Sequence, residues 1–238
     1  MAQNVFITGT GREMALGFNF VRRYLEQGDT VFATVRKPSE ALEKLREQYP
    51  EQLHILTIDI GSTVSVNAAA EEVAKTVSCI DLIINNAVIT APDTAKPCLE
   101  ANMDDIAKVI DVDAVGPMRV VKALMPLLKK SGRTALVVNI SSEAGSIGTC
   151  YRSFYLDYGM AKAALNMATV TLRNYLKDVP GVNAICVHPG WMRTNPGNAA
   201  APLDPYEHAE TMRLLFEKMR DDKNGPVFVT YEGKPYPW

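Results

Sequence analysis

Short runs of apolar and β-branched residues recur along the chain, and longer segments with helical patterns lie between them. The short runs are continuously apolar rather than alternating, which is typical of strands buried on both faces of a parallel sheet. The pattern predicts seven strands, at Val5–Thr8, Thr30–Val35, Leu53–Ile58, Leu82–Asn85, Ala135–Ile140, Val182–Val187 and Val227–Thr230.

The segments between the strands predict six helices, at Leu16–Gln27, Ser39–Gln48, Thr63–Thr76, Met103–Lys130, Phe154–Leu176 and Pro205–Arg220. Repeated strand-then-helix order predicts an α/β fold with one doubly wound parallel sheet, helices on both faces and right-handed crossovers. No linker-like change in composition interrupts this order, so we predict a single domain over residues 1–238. The stretch Thr194–Pro205 is rich in Pro, Gly, Asn and Ala and follows a strand, which predicts a substrate loop near residues 192–207.

Composition and charge argue against several kinds of binding partner for this protein. A formal net charge of -2 over 238 residues gives no reason to expect nucleic acid or a membrane surface as partner. No apolar run is long enough to cross a bilayer. The first strand-like run begins at Asn4, so we expect no signal peptide and a cytoplasmic protein. The four cysteines show no metal-ligand spacing, so we predict no metal site and expect a reducing compartment.

Ser142, Tyr158 and Lys162 bring a hydroxyl, a phenol and an ammonium together within a short span. Tyr158 and Lys162 are four residues apart and so share one face of a helix. A fixed lysine charge lowers the pKa of a neighbouring phenol, which suits a general acid at neutral pH. Ser142 can hydrogen-bond the substrate oxygen whose proton is exchanged. The tyrosine–lysine pair alone is weak evidence, because a solvated helix face also explains it.

The first strand leads into a glycine-rich turn and then a helix, as in Rossmann-like folds. Glycines let the backbone approach a pyrophosphate, which then lies on the helix N-terminus. A plain tight turn is the alternative, but the order of strand, turn and helix favours a phosphate site. The cofactor-binding residues predicted there are Gly9, Gly11, Arg12, Ala15, Leu16 and Gly17.

The end of the second strand indicates which dinucleotide is bound. A site for NAD usually has Asp or Glu there to hold the ribose 2′-hydroxyl. This chain has Arg36 and Lys37 instead, and the first loop adds Arg12. Guanidinium groups suit a 2′-phosphate, so the sequence predicts NADP(H), with solvated loop cations as the alternative.

Two further strand ends supply candidate cofactor ligands. Asp59, after the third strand and next to Ile60, can accept a hydrogen bond from the adenine amino group. Asn86 and Ala87 follow the fourth strand, where side chains reach the crevice. Both Ile60 and Ala87 are included in the predicted cofactor site.

With these residues assembled, the chain resembles the short-chain dehydrogenase/reductase family over essentially its whole length. Within that family it looks most like the C-factor and sniffer-type carbonyl reductase group. The residues that carry the resemblance are Thr8-Gly9, Asp59, Asn85-Asn86-Ala87, Val115-Gly-Pro117, Ser142, Tyr158-x3-Lys162, His188-Pro-Gly-Trp191 and the terminal Tyr236-Pro-Trp238.

The resemblance implies a role for each matching residue. Tyr158 would exchange a proton with the substrate oxygen, Ser142 would orient the substrate, and Lys162 would hold the nicotinamide ribose. Pro189, Gly190 and Thr194 would receive the nicotinamide amide. A homodimer or homotetramer is implied, with subunit contacts through the predicted helices Met103–Lys130 and Phe154–Leu176.

Some positions depart from the family pattern and leave two other functions open. Asp113 stands where the family has an asparagine that completes a catalytic tetrad, and we assign it to the catalytic residues. Val88 replaces the glycine that normally ends the Asn-Asn-Ala-Gly run. Tyr155-x6-Lys162 fits the spacing of enoyl reductases, which would reduce an activated C=C bond. A non-catalytic nucleotide-sensing protein is the other alternative.

Overall fold

The computed structural model describes residues 2–194 and 199–238, in which seven parallel strands form one sheet. The strand order is β3-β2-β1-β4-β5-β6-β7. Strands β1 to β3 are added toward one edge of the sheet and β4 to β7 toward the other, so the strand order reverses between β1 and β4. The predicted α/β fold class is confirmed. The strands are β1 Asn4–Ile7, β2 Thr30–Val35, β3 Leu53–Thr57, β4 Leu82–Asn85, β5 Ala135–Ile140, β6 Val182–His188 and β7 Phe228–Thr230.

Helices connect the strands and cover both faces of the sheet. The α-helices are α1 Leu16–Glu26, α2 Glu40–Gln48, α3 Thr63–Thr76, α4 Met103–Ile110, α5 Gly116–Leu128, α6 Leu156–Tyr175 and α7 Pro205–Met219. On one face α1 packs against α7, with the rings of Phe20 and Phe216 5.7 Å apart. On the other face α3 packs against α5, with Val73 and Leu124 in the same buried cluster. Each buried side chain of this kind stabilises the fold by about 1.5–3 kcal/mol.

The predicted helix over Met103–Lys130 is wrong in one respect, because a π-helical segment at Asp111–Val115 separates α4 from α5. Pro117 follows this segment and has no N–H, so the α-helical hydrogen bond to the carbonyl of Asp113 cannot form. Single π-turns of this kind occur often at functional sites.

The predicted helix over Phe154–Leu176 begins two residues later, at Leu156. Tyr155 occupies the N-cap position with φ 58° and ψ 42°, and among the described residues other than glycine it alone has a positive φ. The left-handed conformation is unfavourable for a residue with a bulky side chain, and such strain concentrates at active sites.

The predicted substrate loop near 192–207 includes residues 195–198, which lie outside the described residues. On either side of them, Met192 pairs with Leu203 in a short parallel bridge. The Arg193 guanidinium donates to the carbonyls of Ala201 and Pro202 at 2.9 Å each. These contacts hold the two ends of the loop together. Among the described helices, none is both long enough and apolar enough to cross a membrane.

Candidate active site

Ser142, Tyr158 and Lys162 come together beyond the carboxyl end of β5. The Ser142 hydroxyl hydrogen-bonds the Tyr158 phenol, and Lys162 Nζ lies 5.5 Å from the centre of the Tyr158 ring. Lys162 is buried, and its Nζ donates to the carbonyl of Ile140 at 3.0 Å. The three side chains predicted to carry the proton chemistry therefore form one cluster.

The direction of the Tyr158 pKa shift differs from the sequence-based expectation. Burial raises the pKa of Tyr158 to about 12, and the negative charges of Glu143 and Asp113 act in the same direction. The expected lowering of this pKa by Lys162 is therefore wrong for the protein alone, where the ammonium donates to the Ile140 carbonyl. Tyr158 is a protonated phenol at neutral pH, which is the form that a general acid requires.

Asp113 is fully buried in the π-helical segment beside Lys162. Its Oδ1 accepts a hydrogen bond from the Ile89 N–H at 2.9 Å. Its Oδ2 has no hydrogen-bond partner among the described residues and lies 4.0 Å from Lys162 Nζ. Burial raises the pKa of Asp113 to about 6, although the Lys162 charge opposes this shift. The carboxyl group therefore changes charge near neutral pH, next to the lysine of the cluster.

Glu143 also belongs to this cluster, and the sequence analysis missed it. The Ser142 hydroxyl donates to Glu143 Oε2 at 2.6 Å, while Glu143 Oε1 pairs with the Arg152 guanidinium. The backbone N–H of Glu143 donates to His188 Nδ1 at 3.2 Å. Glu143 is adjacent to Ser142 in the chain, but no spacing rule distinguishes a glutamate there from a solvated one.

Tyr155, the alternative acid, is placed differently from Tyr158. Its backbone N–H donates to the carbonyl of Thr94 at 2.8 Å, and its ring lies 5.2 Å from the Phe154 ring. The Arg152 guanidinium lies 5.9 Å from the centre of the Tyr155 ring. Tyr155 thus packs at the start of α6, whereas Tyr158 is the tyrosine that hydrogen-bonds Ser142.

The glycine-rich turn lies at the point where the strand order reverses, between β1 and β4. Gly9 has φ +73°, and a Cβ there would lie 2.6 Å from the Cα of Ala87, so only glycine fits. Asn86 Nδ2 donates to the carbonyls of Thr8 and Gly9 at 3.0 Å each. Asn86 therefore holds the turn in shape.

The residues of this turn fit the pyrophosphate of a dinucleotide. Ala15 is the N-cap of α1 and offers no side-chain cap, so no side chain of the N-cap competes for the first N–H groups of the helix. Such N–H groups bind phosphate oxygens. Beside the turn, Ser39 Oγ donates to the carbonyl of Gly11 at 2.8 Å, while Arg12 and Arg36 are exposed. Among the described residues, neither guanidinium group forms an ion pair with a carboxylate.

The remaining predicted cofactor residues lie at other strand ends along the same edge of the sheet. Asp59 is exposed after β3, and its Oδ1 accepts the Gly61 N–H at 2.9 Å. After β6, the carbonyl of Pro189 lies 2.6 Å from Nε2 of the buried His208. Gly190 follows with φ +78°, and the Thr194 N–H donates to the carbonyl of Met192 at 2.9 Å.

A glycine-rich turn at the reversal point of a parallel sheet, with a serine–tyrosine–lysine cluster at the same edge, defines a dinucleotide-dependent oxidoreductase. The chain matches the short chain dehydrogenase family over residues 3–202. It therefore belongs to the short-chain dehydrogenase/reductase family, as its motifs predicted.

Relatives and solved structures agree with this assignment. An uncharacterised oxidoreductase of Schizosaccharomyces pombe is 32% identical, covering 98% of this chain and 97% of its own length. The NADPH-bound carbonyl reductase from chicken fatty liver superposes with a TM-score of 0.89 at 29% identity, covering 100% of this chain and 99% of that one. The carbonyl reductase Sniffer of Drosophila melanogaster superposes with a TM-score of 0.90 at 26% identity, covering 100% of both chains.

Proposed function

We propose that this protein is an NADP(H)-dependent oxidoreductase that interconverts a carbonyl and an alcohol on a small or medium, moderately apolar substrate. The observation that carries the proposal is the hydrogen bond between Ser142 and the protonated Tyr158, with Lys162 beside the Tyr158 ring. A phenol that keeps its proton can give it to a carbonyl oxygen, and positioned acids of this kind accelerate reactions by about 10²–10⁴-fold.

Each residue of the cluster has a part in this reaction. The bound dinucleotide supplies or accepts the hydride, while the protein supplies position and charge. Tyr158 gives its proton to the substrate oxygen in reduction and takes one back in oxidation. Ser142 would orient the substrate beside the Tyr158 phenol, with which it forms a hydrogen bond, and Lys162 places a positive charge next to that phenol and would hold the nicotinamide ribose. Asp113, beside Lys162, accepts a hydrogen bond from the Ile89 N–H and so holds that part of the backbone in place.

The dinucleotide itself would lie along the carboxyl ends of the strands. Arg12 and Arg36 would hold the 2′-phosphate, since both are exposed cations beside the glycine-rich turn. The similarity to a carbonyl reductase whose structure is described as NADPH-bound supports this preference. The other predicted contacts are made by Gly9, Gly11, Ala15, Leu16, Gly17, Asp59, Ile60, Asn86, Ala87, Tyr158, Lys162, Pro189, Gly190 and Thr194.

The surroundings of the cluster support an apolar substrate. The rings of Phe154 and Tyr155 are in contact just before α6. The Arg152 guanidinium lies 5.2 Å from the centre of the Tyr151 ring. Trp191, which follows Gly190, is half exposed. Aromatic side chains left partly open near a polar reacting centre are typical of small-molecule sites.

The test compares two tyrosines, using NADPH with a panel of ketones, aldehydes and activated enones. Tyr158→Phe should reduce carbonyl turnover by at least about a hundredfold, the scale of a lost general acid. Binding of the dinucleotide should survive, since the hydroxyl contributes little to it. Tyr155→Phe is the matched control and should change turnover by less than about tenfold, because only the shape of the pocket changes.

Other outcomes of this panel would contradict the proposal. An essential Tyr155 with a dispensable Tyr158, together with turnover of enones, would identify an enoyl reductase. Dinucleotide binding without turnover of any substrate in the panel would favour a nucleotide-sensing protein that keeps the fold. Lys162→Ala should impair both binding and turnover under either catalytic function, so it does not separate them.

We further propose that residues 1–238 act as one dinucleotide-binding oxidoreductase domain, with a substrate loop near 192–207. The domain would assemble as a homodimer or homotetramer and work in the cytoplasm. The four cysteines are free thiols, which supports a reducing compartment.

A further inference from the structure

His208 lies in the first turn of α7 and contacts the turn after β6, where the nicotinamide amide is proposed to bind. Its Nε2 lies 2.6 Å from the carbonyl oxygen of Pro189, and both residues are buried. A carbonyl oxygen can only accept a hydrogen bond. The proton is therefore on Nε2, and His208 is the donor.

The His208 ring is uncharged at neutral pH. Burial lowers the pKa of His208, although the hydrogen bond to Pro189 opposes this shift. A positive charge is also unfavourable in the first turn of a helix, where the backbone N–H groups already carry positive partial charge. An uncharged imidazole has a single N–H. His208 therefore gives its only ring proton to Pro189.

Other side chains enclose the same turn. The ring of Tyr231 lies edge-on to His208 with ring centres 4.6 Å apart, and the Tyr231 N–H donates to the carbonyl of His188 at 3.0 Å. Gly190 has φ +78°, and a Cβ there would lie 2.7 Å from Cδ1 of Leu203 and 3.0 Å from Cε1 of Tyr231. The turn is thus surrounded by residues from α7, from the predicted substrate loop and from the segment after β7.

Pro189 can offer only one polar group to a ligand. Proline has no N–H, so its carbonyl is the group that can contact a bound nicotinamide, by accepting from the NH₂ of the amide. A carbonyl oxygen has two lone pairs. The hydrogen bond from His208 uses one of them and leaves the other for the NH₂ group.

We propose that His208 is a positioning residue of the dinucleotide site, because its hydrogen bond holds the Pro189 carbonyl in the orientation that accepts the nicotinamide amide. This inference rests on the proposed function, which places that amide at Pro189, Gly190 and Thr194. His208 acts through Pro189 and does not itself contact the dinucleotide. A carbonyl that is already oriented loses less conformational freedom when the amide binds, so binding is tighter.

Three ligands separate this role from a general effect on the fold. NADP carries the complete amide, its 3-acetylpyridine analogue has a methyl ketone there and so lacks the NH₂ group, and adenosine 2′,5′-bisphosphate lacks the whole nicotinamide half. Isothermal titration calorimetry of the full-length protein measures the Kd of each. His208→Leu should weaken binding of NADP by at least about fivefold and binding of the other two ligands by less than about twofold.

His208→Gln is the matched control, because the glutamine amide keeps an N–H donor for the Pro189 carbonyl. It should bind NADP within about threefold of the unsubstituted protein, the smaller effect expected when the hydrogen bond is kept. Equal weakening of all three ligands by His208→Leu would show a structural role only. Unchanged or tighter binding of NADP would show that the carbonyl needs no support from His208. Each of these two results overturns the proposal.

If His208→Leu fails to fold by circular dichroism, nitrogen NMR of the unsubstituted protein decides. His208 is one of three histidines in the chain, and its ring signals are assigned through its own backbone signals. NADP should shift the Nε2 signal, because the amide takes the second lone pair of the same carbonyl, and adenosine 2′,5′-bisphosphate should not. An Nε2 signal that responds equally to both ligands, or to neither, overturns the proposal.

The titrations also distinguish failure of this inference from failure of the proposed function. An unsubstituted protein that does not bind NADP overturns both. Binding of NADP that His208→Leu leaves unchanged overturns only the role of His208, and the proposed carbonyl–alcohol reaction is still tested by the tyrosine variants.

Discussion

At the scale of single residues, the charge around the Tyr158 phenol comes from side chains on different elements. Asp113 is the deepest of them, and its Oδ2 has no hydrogen-bond partner among the described residues. Burial disfavours the charged Asp113 carboxylate more than the Lys162 ammonium, 4.0 Å from Oδ2, favours it, so Asp113 destabilises the fold when it is charged. Asp113 therefore makes the stability of this protein depend on pH.

Asp113→Asn should increase the free energy of unfolding at pH 8 by about 1–3 kcal/mol and by less at pH 5. The folded pKa of Asp113 is about 6, against 3.8 for an ordinary aspartate. Between these values the folded state binds more protons than the unfolded state, so stability falls as the pH rises through this range. Urea unfolding at both pH values measures the effect.

Asp104→Asn, at an exposed position of α4, is the control and should not increase the free energy of unfolding at pH 8. A gain from Asp113→Asn that is equal at pH 5 and pH 8 would contradict the assignment of the effect to a buried charge.

Arg36→Asp should weaken NADPH binding far more than NADH binding. Loss of one charged contact to the 2′-phosphate costs about 1.5–3 kcal/mol, and the dinucleotide without that phosphate loses nothing comparable. Fluorescence titration with both dinucleotides measures the two affinities. Lys37→Asp makes the same change of charge one residue away and controls for a general change in the field. Equal affinity of the unsubstituted protein for NAD(H) and NADP(H) would count against Arg12 and Arg36 as phosphate ligands.

The residues that sequence reasoning found share a recognisable local pattern. Tyr158 and Lys162 have the spacing of one helix face, and the glycines follow a strand directly. Glu143 has no such pattern, because its partners Arg152 and His188 are brought to it from other parts of the chain by the fold. The shift in the Tyr158 pKa was predicted in the wrong direction for a related reason: spacing does not show burial or the carbonyl to which Lys162 donates.

At the scale of elements, the catalytic cluster depends on close contact between the turn Glu143–Gly145 and α6. A Cβ on Gly145 would lie 2.7 Å from the carbonyl carbon of Lys162. The backbone of residue 145 fixes the position of that Cβ, and the Lys162 carbonyl is itself backbone, so no side-chain rotation can relieve the clash. The contact keeps Ser142 and Lys162 at a fixed separation.

Gly145→Ala should therefore reduce the free energy of unfolding by about 1–3 kcal/mol, the range of overpacked sites. It should also reduce turnover, because the turn carries Ser142 away from α6. Chemical denaturation and the carbonyl assay measure the two effects. Gly132→Ala, where a Cβ would meet nothing within 4 Å, should be close to neutral. Similar losses from both substitutions would show that the tight contact is not the cause.

Strands were easier to predict than the ends of helices. Buried parallel strands are continuously apolar between polar turns, so their bounds are visible in the sequence. The π-helical segment was not predicted, because the apolar pattern continues through Asp111–Val115 and only Pro117 marks the change. The start of α6 was placed too early because Phe154 and Tyr155 continue its apolar pattern, while the left-handed conformation of Tyr155 depends on packing.

At the scale of the whole molecule, the sheet brings residues from distant parts of the chain to one edge. The sequence predicted a doubly wound parallel sheet but not the strand order β3-β2-β1-β4-β5-β6-β7, because no single segment shows which strands become neighbours. The assembly of subunits is a further property of the whole molecule. Helix α6 leaves Met160, Met167 and Tyr175 exposed, which supports the proposed contact between subunits through this helix.

Light scattering at micromolar concentration should therefore give the mass of a dimer or a tetramer. Met167→Glu should reduce that mass, because a charge placed in an apolar contact is left without a partner. Val64→Glu is the control, since Val64 is also open to solvent, on α3 and outside the predicted contact, and this substitution should leave the mass unchanged. A monomeric mass of the unsubstituted protein would remove the proposal of an oligomer.

The π-helical segment also changes the direction in which the two flanking helices face. One residue added to a helical turn rotates everything after it by about 100° around the axis. Before the segment α4 packs against α6, and after it α5 packs against α3. The extra residue therefore rotates α5 relative to α4, so that α4 can pack against α6 while α5 packs against α3. Removing one residue from Asp111–Val115 would restore regular helix only by turning one of these faces away from its partner, so this short stretch should tolerate substitution far better than deletion.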